Sequence, residues 1–426
     1  MSRTAAVVLA VAAAAAAAPV AASLGDGEVA GAERRIRAAP TPAAWVALAA
    51  ASMRKARETA DVAWYRRAAA AVDRALALAP GDYPALRARA WVLLGLHDFR
   101  GARAAAATAR AREPGDWWND ATVADACAEL GDYECATAAV EALADRRPGI
   151  AAYTRVAFLR TLFGDRPGAI EALRLAVAAG TRADPESLAW TLVHLGHEHF
   201  GDGDLPGAAA AYEAALAVLP DYHLALGGLG RVRAAEGRLA DATALLARAV
   251  ARVPAPDLVG LLGDAHAAAG EAAAAEAAYA LLDQMDRLAR ATGTTYGREL
   301  ALFYADHDRR LDEALRLARE DAATRGGVWT DDALAWALYK NGRLAAAARA
   351  SHRALRLGTP DAAFDYHAGL VAAALGRDRR AARHLRRALA RNPYFDLRQA
   401  PRARAALAAL ETSPGLARAA APAGTR

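Results

Sequence analysis

Lysine is nearly absent from this 426-residue sequence: Lys55 and Lys340 are the only two, and arginine supplies the rest of the 53 basic residues. Against 48 acidic residues, that leaves a net charge of only +5. Arginines and carboxylates are interspersed along most of the chain, as on solvated helix faces. No base-reading motif accompanies them, so no nucleic-acid partner is expected. Long runs of alternating β-branched residues are missing, which argues against a sheet. Beyond the N-terminal stretch, no charge-free apolar segment reaches the roughly twenty residues that a membrane-spanning helix needs. Also missing are a glycine-rich phosphate loop after a strand, a nucleophile elbow and the zinc-peptidase histidine spacing. The chain therefore does not read as an enzyme, and nothing in it calls for a cofactor.

Alanine and leucine are present in quantity, a helix-forming composition in which glycine and proline serve mostly as punctuation. Residues 192–254 carry one pattern twice. Leu192, Leu195-Gly196, Gly203, Ala208, Tyr212, Ala215 and Pro220 recur 34 positions later as Leu226, Leu229-Gly230, Gly237, Ala242, Leu246, Ala249 and Pro254. Pro80, Pro114 and Pro148 keep the same 34-residue interval. Such a period marks a repeat array in which a pair of helices cannot bury its apolar faces alone and must stack on its neighbours. Small residues such as Gly196, Ala208 and Ala215 let helix backbones approach closely, and Leu195 and Tyr212 fill the space between units. Gly203 falls where the first helix ends and the turn needs a permissive backbone.

The N-terminus differs in kind. Arg3 precedes an apolar run from Ala5 to Ala18, followed by Pro19 and the small residues Val20, Ala21 and Ala22. Charge, apolar segment and small-residue exit are the layout of a secretory signal peptide. The expected organisation is a signal peptide over 1–22, a linker over 23–40 and repeats one to seven over 41–288. Repeats eight to ten follow over 289–393 after a less regular joint, then a capping helix over 394–411 and a disordered tail over 412–426. Export places the mature chain in the periplasm or outside the cell.

From about residue 41 to 393 the pattern resembles the tetratricopeptide repeat family. The match rests on the Leu-Gly pair, the two alanines, the Tyr/Leu plug and the closing proline, because the family's mid-helix aromatic is replaced here by Leu93, Cys127, Arg160, His199, Arg233 and His266. The resemblance implies an all-α, right-handed superhelical solenoid of about ten helix-turn-helix repeats. It also implies an inner groove lined by the first helices, a peptide- or protein-binding scaffold, and no catalysis. Carried onto the inward-facing positions, the early repeats present Arg87, Trp91, Trp118 and Phe158. The middle ones present Trp190, His197, Phe200, Arg231 and Asp264. Repeats eight to ten present Tyr296, Phe303, Trp329, Asp332, Trp336, Tyr339 and Tyr366. This groove is aromatic toward both ends and sparse in the middle, and aromatic side chains with few rotors are good interface anchors. The competing reading is that these aromatics pack between neighbouring helices.

Three further features stand out. Cys127 and Cys135 flank one helix turn at similar distances from it; a bridge there and a pair of free thiols are both compatible with the spacing. His194, His197 and His199 lie close together, but only the first two share a helix face, which fits packing and capping better than metal ligation. The last repeat carries Arg377, Arg379, Arg380, Arg383, Arg386, Arg387 and Arg391 with few acids to offset them. These arginines read either as a solvated capping face or as an attraction for an acidic partner or anionic lipid. The functional expectation is an envelope interaction scaffold that binds a partner segment in the groove. The alternative is a small-molecule or metal carrier.

Overall fold

The structure, a computed structural model, describes residues 24–59, 61–291 and 296–412. The expected signal peptide lies outside these residues, as does the expected tail beyond Thr412. Within them the chain forms 22 helices and no strand. Ten pairs run from Pro42–Thr59 with Val62–Leu78 to Ala362–Ala374 with Asp378–Arg391. None of the described helices is long and apolar enough to cross a membrane.

Proline sets the rhythm. Helices end at Leu78, Arg112, Arg146, Val218, Arg252 and Arg391, each two residues before Pro80, Pro114, Pro148, Pro220, Pro254 or Pro393. The residue ahead of a proline is pushed out of the helical region, so the second helix of a pair stops there. Aspartate opens many of the helices. Asp82, Asp116, Asp132, Asp165, Asp184 and Asp204 each accept a backbone N–H of the first turn, a cap that contributes about 1 kcal/mol.

The Leu-Gly pair has a steric reason. The Tyr212 ring is fully buried between Gly196 and Gly228, and a Cβ on either glycine would lie 2.5 or 2.4 Å from its Cε1. Gly263 stands in the same relation to Tyr279, at 2.4 Å. Glycine is the residue that lets the aromatic plug of one second helix reach the backbone of two successive first helices.

Two expectations need correcting. Residues 24–38 are not a linker but a helix, Leu24–Ala38. Its three glycines disfavour helix, but Val29 and Ala32 are buried against Pro42–Thr59, and Asp26 pairs with Lys55 at 2.7 Å. At the other end, residues 394–398 are not helical; the last helix spans Gln399–Glu411.

The chain divides into two compact units. One holds the residues up to Arg155 together with Ala251–Val253 and Thr324–Gly327. The other holds Val156–Val250, Pro254–Ala323 and the residues from Val328 onward. In the first unit, Gly326 N–H donates to the Glu129 carbonyl at 2.9 Å, and a Cβ on Gly326 would meet the Leu130 carbonyl oxygen at 2.2 Å. Only glycine permits that approach. In the second unit, distant segments close on the ends of early first helices. Thr359 Oγ1 donates to the Leu162 carbonyl at 2.6 Å, and Asn392 Nδ2 to the Phe200 carbonyl at 2.7 Å. Both side chains are buried, and Thr359 satisfies a carbonyl that the helix end leaves without a partner. Arg231 Nη2 then donates to the Phe395 carbonyl at 2.6 Å, and Arg398 reaches Asp264 at 3.7 Å. The second unit is therefore closed on itself, where the family resemblance implied an open groove.

Candidate partner-binding surface

In the first unit, helices Tyr83–Gly95 and Trp117–Glu129 bring Arg87, Trp91 and Trp118 together. Trp91 meets Trp118 edge-on with centroids 5.5 Å apart, and the Arg87 guanidinium lies 4.8 Å above the Trp118 ring. Arg87 also pairs with Asp116 at 3.1 Å. All three side chains keep part of their surface in solvent. Asp116 accepts from the Tyr83 hydroxyl at 2.6 Å. Burial and that hydrogen bond push the Tyr83 phenol up to about 12.

In the second unit the sequence-derived set separates. Phe200, Asp264, Phe303, Asp332, Trp336 and Tyr366 are buried and offer no surface to a partner. The reason lies in packing within and between neighbouring repeats. Phe200 lies beneath the Arg231 guanidinium at 4.3 Å. Asp264 accepts from Tyr279 Oη and pairs with His307 Nε2, both at 2.7 Å, and Phe303 packs on the His307 ring at 4.2 Å. Trp336 donates to Asp306 at 2.7 Å and stacks between Tyr339 and His367. Asp332 holds His367 at 2.9 Å, and Tyr366 packs against Phe395. For these six, the packing reading of the sequence is the right one.

Other members stay accessible. Phe158 is 39% exposed, and its ring sits 5.6 Å from that of Trp329. Trp190 and Trp329 are half-buried. Trp190 lies 3.8 Å from the His194 ring, and His194 in turn meets His197 edge-on. Tyr296, Arg231 and Tyr339 are also half-buried.

His197 is open to solvent, yet burial holds its imidazole down at about 3, with His194 and Arg231 adding to the effect. Asp257 is likewise solvent-open while burial raises its carboxyl, followed in the same direction by Glu299. Groups that water reaches but protein surrounds line a concavity, not a convex face. Asp257 and Glu299 also fall on inward-facing positions of the repeat pattern, and each stands in the first turn of its helix.

The three neighbouring histidines take separate partners. His197 Nδ1 pairs with the Tyr212 hydroxyl at 2.7 Å, and His199 with its cap residue Asp204 at 2.8 Å. Among the described residues, the one set of metal-type ligands lying close together is Cys127, Asp132 and Cys135. Two of these are joined as a disulfide with Cα atoms 5.8 Å apart. The bridge ties Trp117–Glu129 to Tyr133–Arg146 across eight positions. Closing so short a loop contributes about 2–3 kcal/mol by restricting the unfolded chain. Reduction is expected to lower the thermal midpoint and to speed proteolysis around residues 115–148. Limited proteolysis with and without reductant, followed by mass spectrometry, checks this.

A titrating cluster lies where the last helix meets the array. Asp306 accepts from Trp336 Nε1 and Gln399 Nε2, and its carbonyl accepts from Arg402. Burial pushes its carboxyl up to about 7; the Asp396 charge acts in the same direction, opposed by His367, the Trp336 N–H and His307. Burial pulls His367 down, but Asp332, Asp306 and Asp361 together carry it up. A carboxyl raised from 3.8 to about 7 binds its proton more tightly in the folded state, so its contribution to stability is lost as pH rises across that interval. His367 acts in the same sense from 6.5 upward. His194, held down at about 4 by burial, has the opposite sign and destabilises the fold as pH falls below 6.5. Asp306→Asn is expected to flatten the alkaline limb and leave the acid limb in place. Thermal midpoints of both chains between about pH 4 and about pH 8 test this.

These features define the class: an all-α helical repeat solenoid with accessible aromatic surface on its first helices. The family model described as tetratricopeptide repeat matches residues 199–261. Over that stretch the chain is similar to tetratricopeptide repeats, a fold that commonly serves as a protein–protein interaction scaffold. Solved structures similar to it include PilW, a widely conserved type IV pilus biogenesis factor (20% identity, 47% of this chain and 92% of that one, TM-score 0.40). Yeast Tom70 is similar at 12% identity over 93% of this chain and 95% of that one, with a TM-score of 0.40. A tetratricopeptide repeat protein from Parabacteroides merdae is similar at 16% identity over 62% of this chain and 99% of that one, with a TM-score of 0.35. A search of curated proteins finds no match.

Proposed function

We propose that this protein is a non-enzymatic interaction scaffold of the cell envelope that holds a segment of a partner protein against the concave wall of its second unit. One observation carries the reading: Phe158, Trp190 and Trp329 keep accessible ring surface in a unit that buries most of its other large aromatics. Accessible aromatics on rigid helices suit an interface anchor, since little side-chain entropy is lost on binding. His197, Arg231 and Asp257 supply polar groups beside them to orient the bound segment. The envelope location rests on the charge, apolar run and small-residue exit of residues 3–22, and a disulfide is at home there. The second unit closes over Phe200 and Asp264, so the bound segment is shorter than one filling a full superhelical groove.

A photo-crosslinking amino acid at position 190, introduced in the producing cells, tests this. A discrete protein adduct in the envelope fraction is the expected result. Adducts confined to cytoplasmic proteins, or none at 190 while position 89 on the first unit gives them, would count against it.

A further inference from the structure

Arginines along this array are for the most part paired. Arg103 meets Asp132, Arg238 meets Asp241, Arg248 meets Asp221, and Arg309 and Arg316 meet Glu276 and Glu313. The outer helices of the last two repeats depart from this pattern. On Asp378–Arg391, Arg387 and Arg391 are engaged by the buried Asp365, and Arg386 pairs with Glu411. Arg379, Arg380 and Arg383, with Arg377 just before the helix, are exposed and have no acidic partner among the described residues. On the preceding outer helix, Leu344–Ala354, Arg349 is likewise exposed and unpaired, as is Arg343 at its start. Asp378 is the one acid within these two helices.

We propose that this arginine face docks the protein on an anionic phospholipid surface. Two observations favour that occupant. The unpaired charge is spread along two helices, so it fits an extended polyanion better than a single small anion. The outward face of Asp378–Arg391 carries no exposed large apolar side chain, because Ala381, Ala382, Leu385 and Ala388 point inward and are buried. A protein interface of any strength has an apolar or aromatic centre, and this face has none. A membrane headgroup layer needs only charge, and each arginine near an anionic bilayer strengthens binding about fivefold. Duplex DNA would also accept such a face; the choice of lipid over DNA rests on the envelope location proposed above. This docking is independent of the partner surface on the concave wall, so either reading can fail alone.

The test is co-sedimentation of the full chain with vesicles of phosphatidylglycerol and phosphatidylcholine, against vesicles of phosphatidylcholine alone. The comparison variant is R377Q/R379Q/R380Q/R383Q, whose four side chains make no internal ion pair, with circular dichroism to verify the fold. The wild-type chain is expected to bind the anionic vesicles only, and to be released by about 1 M salt, where the screening length falls to about 3 Å. The variant is expected to bind on the order of a few hundredfold more weakly. The proposal is overturned if wild type and variant bind alike, if neutral vesicles bind as well as anionic ones, or if the wild-type chain binds neither. It is also overturned if a DNA duplex captures the chain at lower concentration than the anionic vesicles do.

Discussion

Asp365→Ala is expected to lower the stability of the C-terminal repeats by about 3–5 kcal/mol, the range for removing one partner of a buried ion pair. Asp365 is fully buried on Ala362–Ala374. His384 Nδ1 lies 2.9 Å from its Oδ1, Arg387 Nε donates at 2.8 and 2.9 Å to its two oxygens, and Arg391 sits 3.4 Å away. Burial alone would raise this carboxyl. His384, Arg387 and Arg391 more than offset it and hold the carboxyl below 3.8. The sign is thus opposite to that of Asp306: the contribution is present above the unfolded value and lost as pH falls. Alanine leaves His384 buried and one or two guanidiniums without a counter-charge, whereas Asp365→Asn keeps the shape and loses only the charge. Urea unfolding followed by circular dichroism is expected to show Asn between wild type and Ala. Ala equal to wild type would mean that the arginines relax into solvent without cost.

Trp190→Ala combined with Trp329→Ala is expected to abolish partner retention while leaving helicity unchanged. A central aromatic anchor contributes 2 kcal/mol or more to an interface, about thirtyfold in affinity. Two on separate helices multiply if they do not touch. Both rings are half-buried, so truncation removes accessible surface more than core, and Trp336→Ala is the contrast. That ring is buried, donates to Asp306 and stacks on His367, so its loss acts first on the fold, by about 3–5 kcal/mol. Quantitative pull-down of the crosslink-identified partner, beside thermal melts, separates the two kinds of tryptophan.

The contrast marks what the sequence made legible. The 34-residue period, the proline stops and the Tyr212 plug are local facts of spacing, and the helix pairs follow from them. Position within a repeat also selected Trp190 and Trp336 by the same rule, because both occupy inward-facing places. What parts them is the packing of neighbouring side chains, since Trp336 is stacked between Tyr339 and His367 and donates to Asp306 while Trp190 stays half-buried. The closure of the unit rests on contacts across more than 150 residues, Thr359 on Leu162, Asn392 on Phe200 and Arg231 on Phe395. Such contacts leave no periodic trace, and a threonine or asparagine between helices reads as an ordinary loop residue. The same holds for helix Leu24–Ala38, where three glycines spoke for a linker and burial of Val29 and Ala32 decided otherwise.

The central claim is that a partner segment lies on the concave wall of the second unit. Covalent footprinting of the chain, alone and with its crosslink-identified partner, tests it most directly. The account predicts lowered labelling at Phe158, Trp190 and Trp329, with no change at the outward-facing Arg248 and Arg349. Unchanged labelling of those three rings, with protection confined to outward-facing residues, would contradict it.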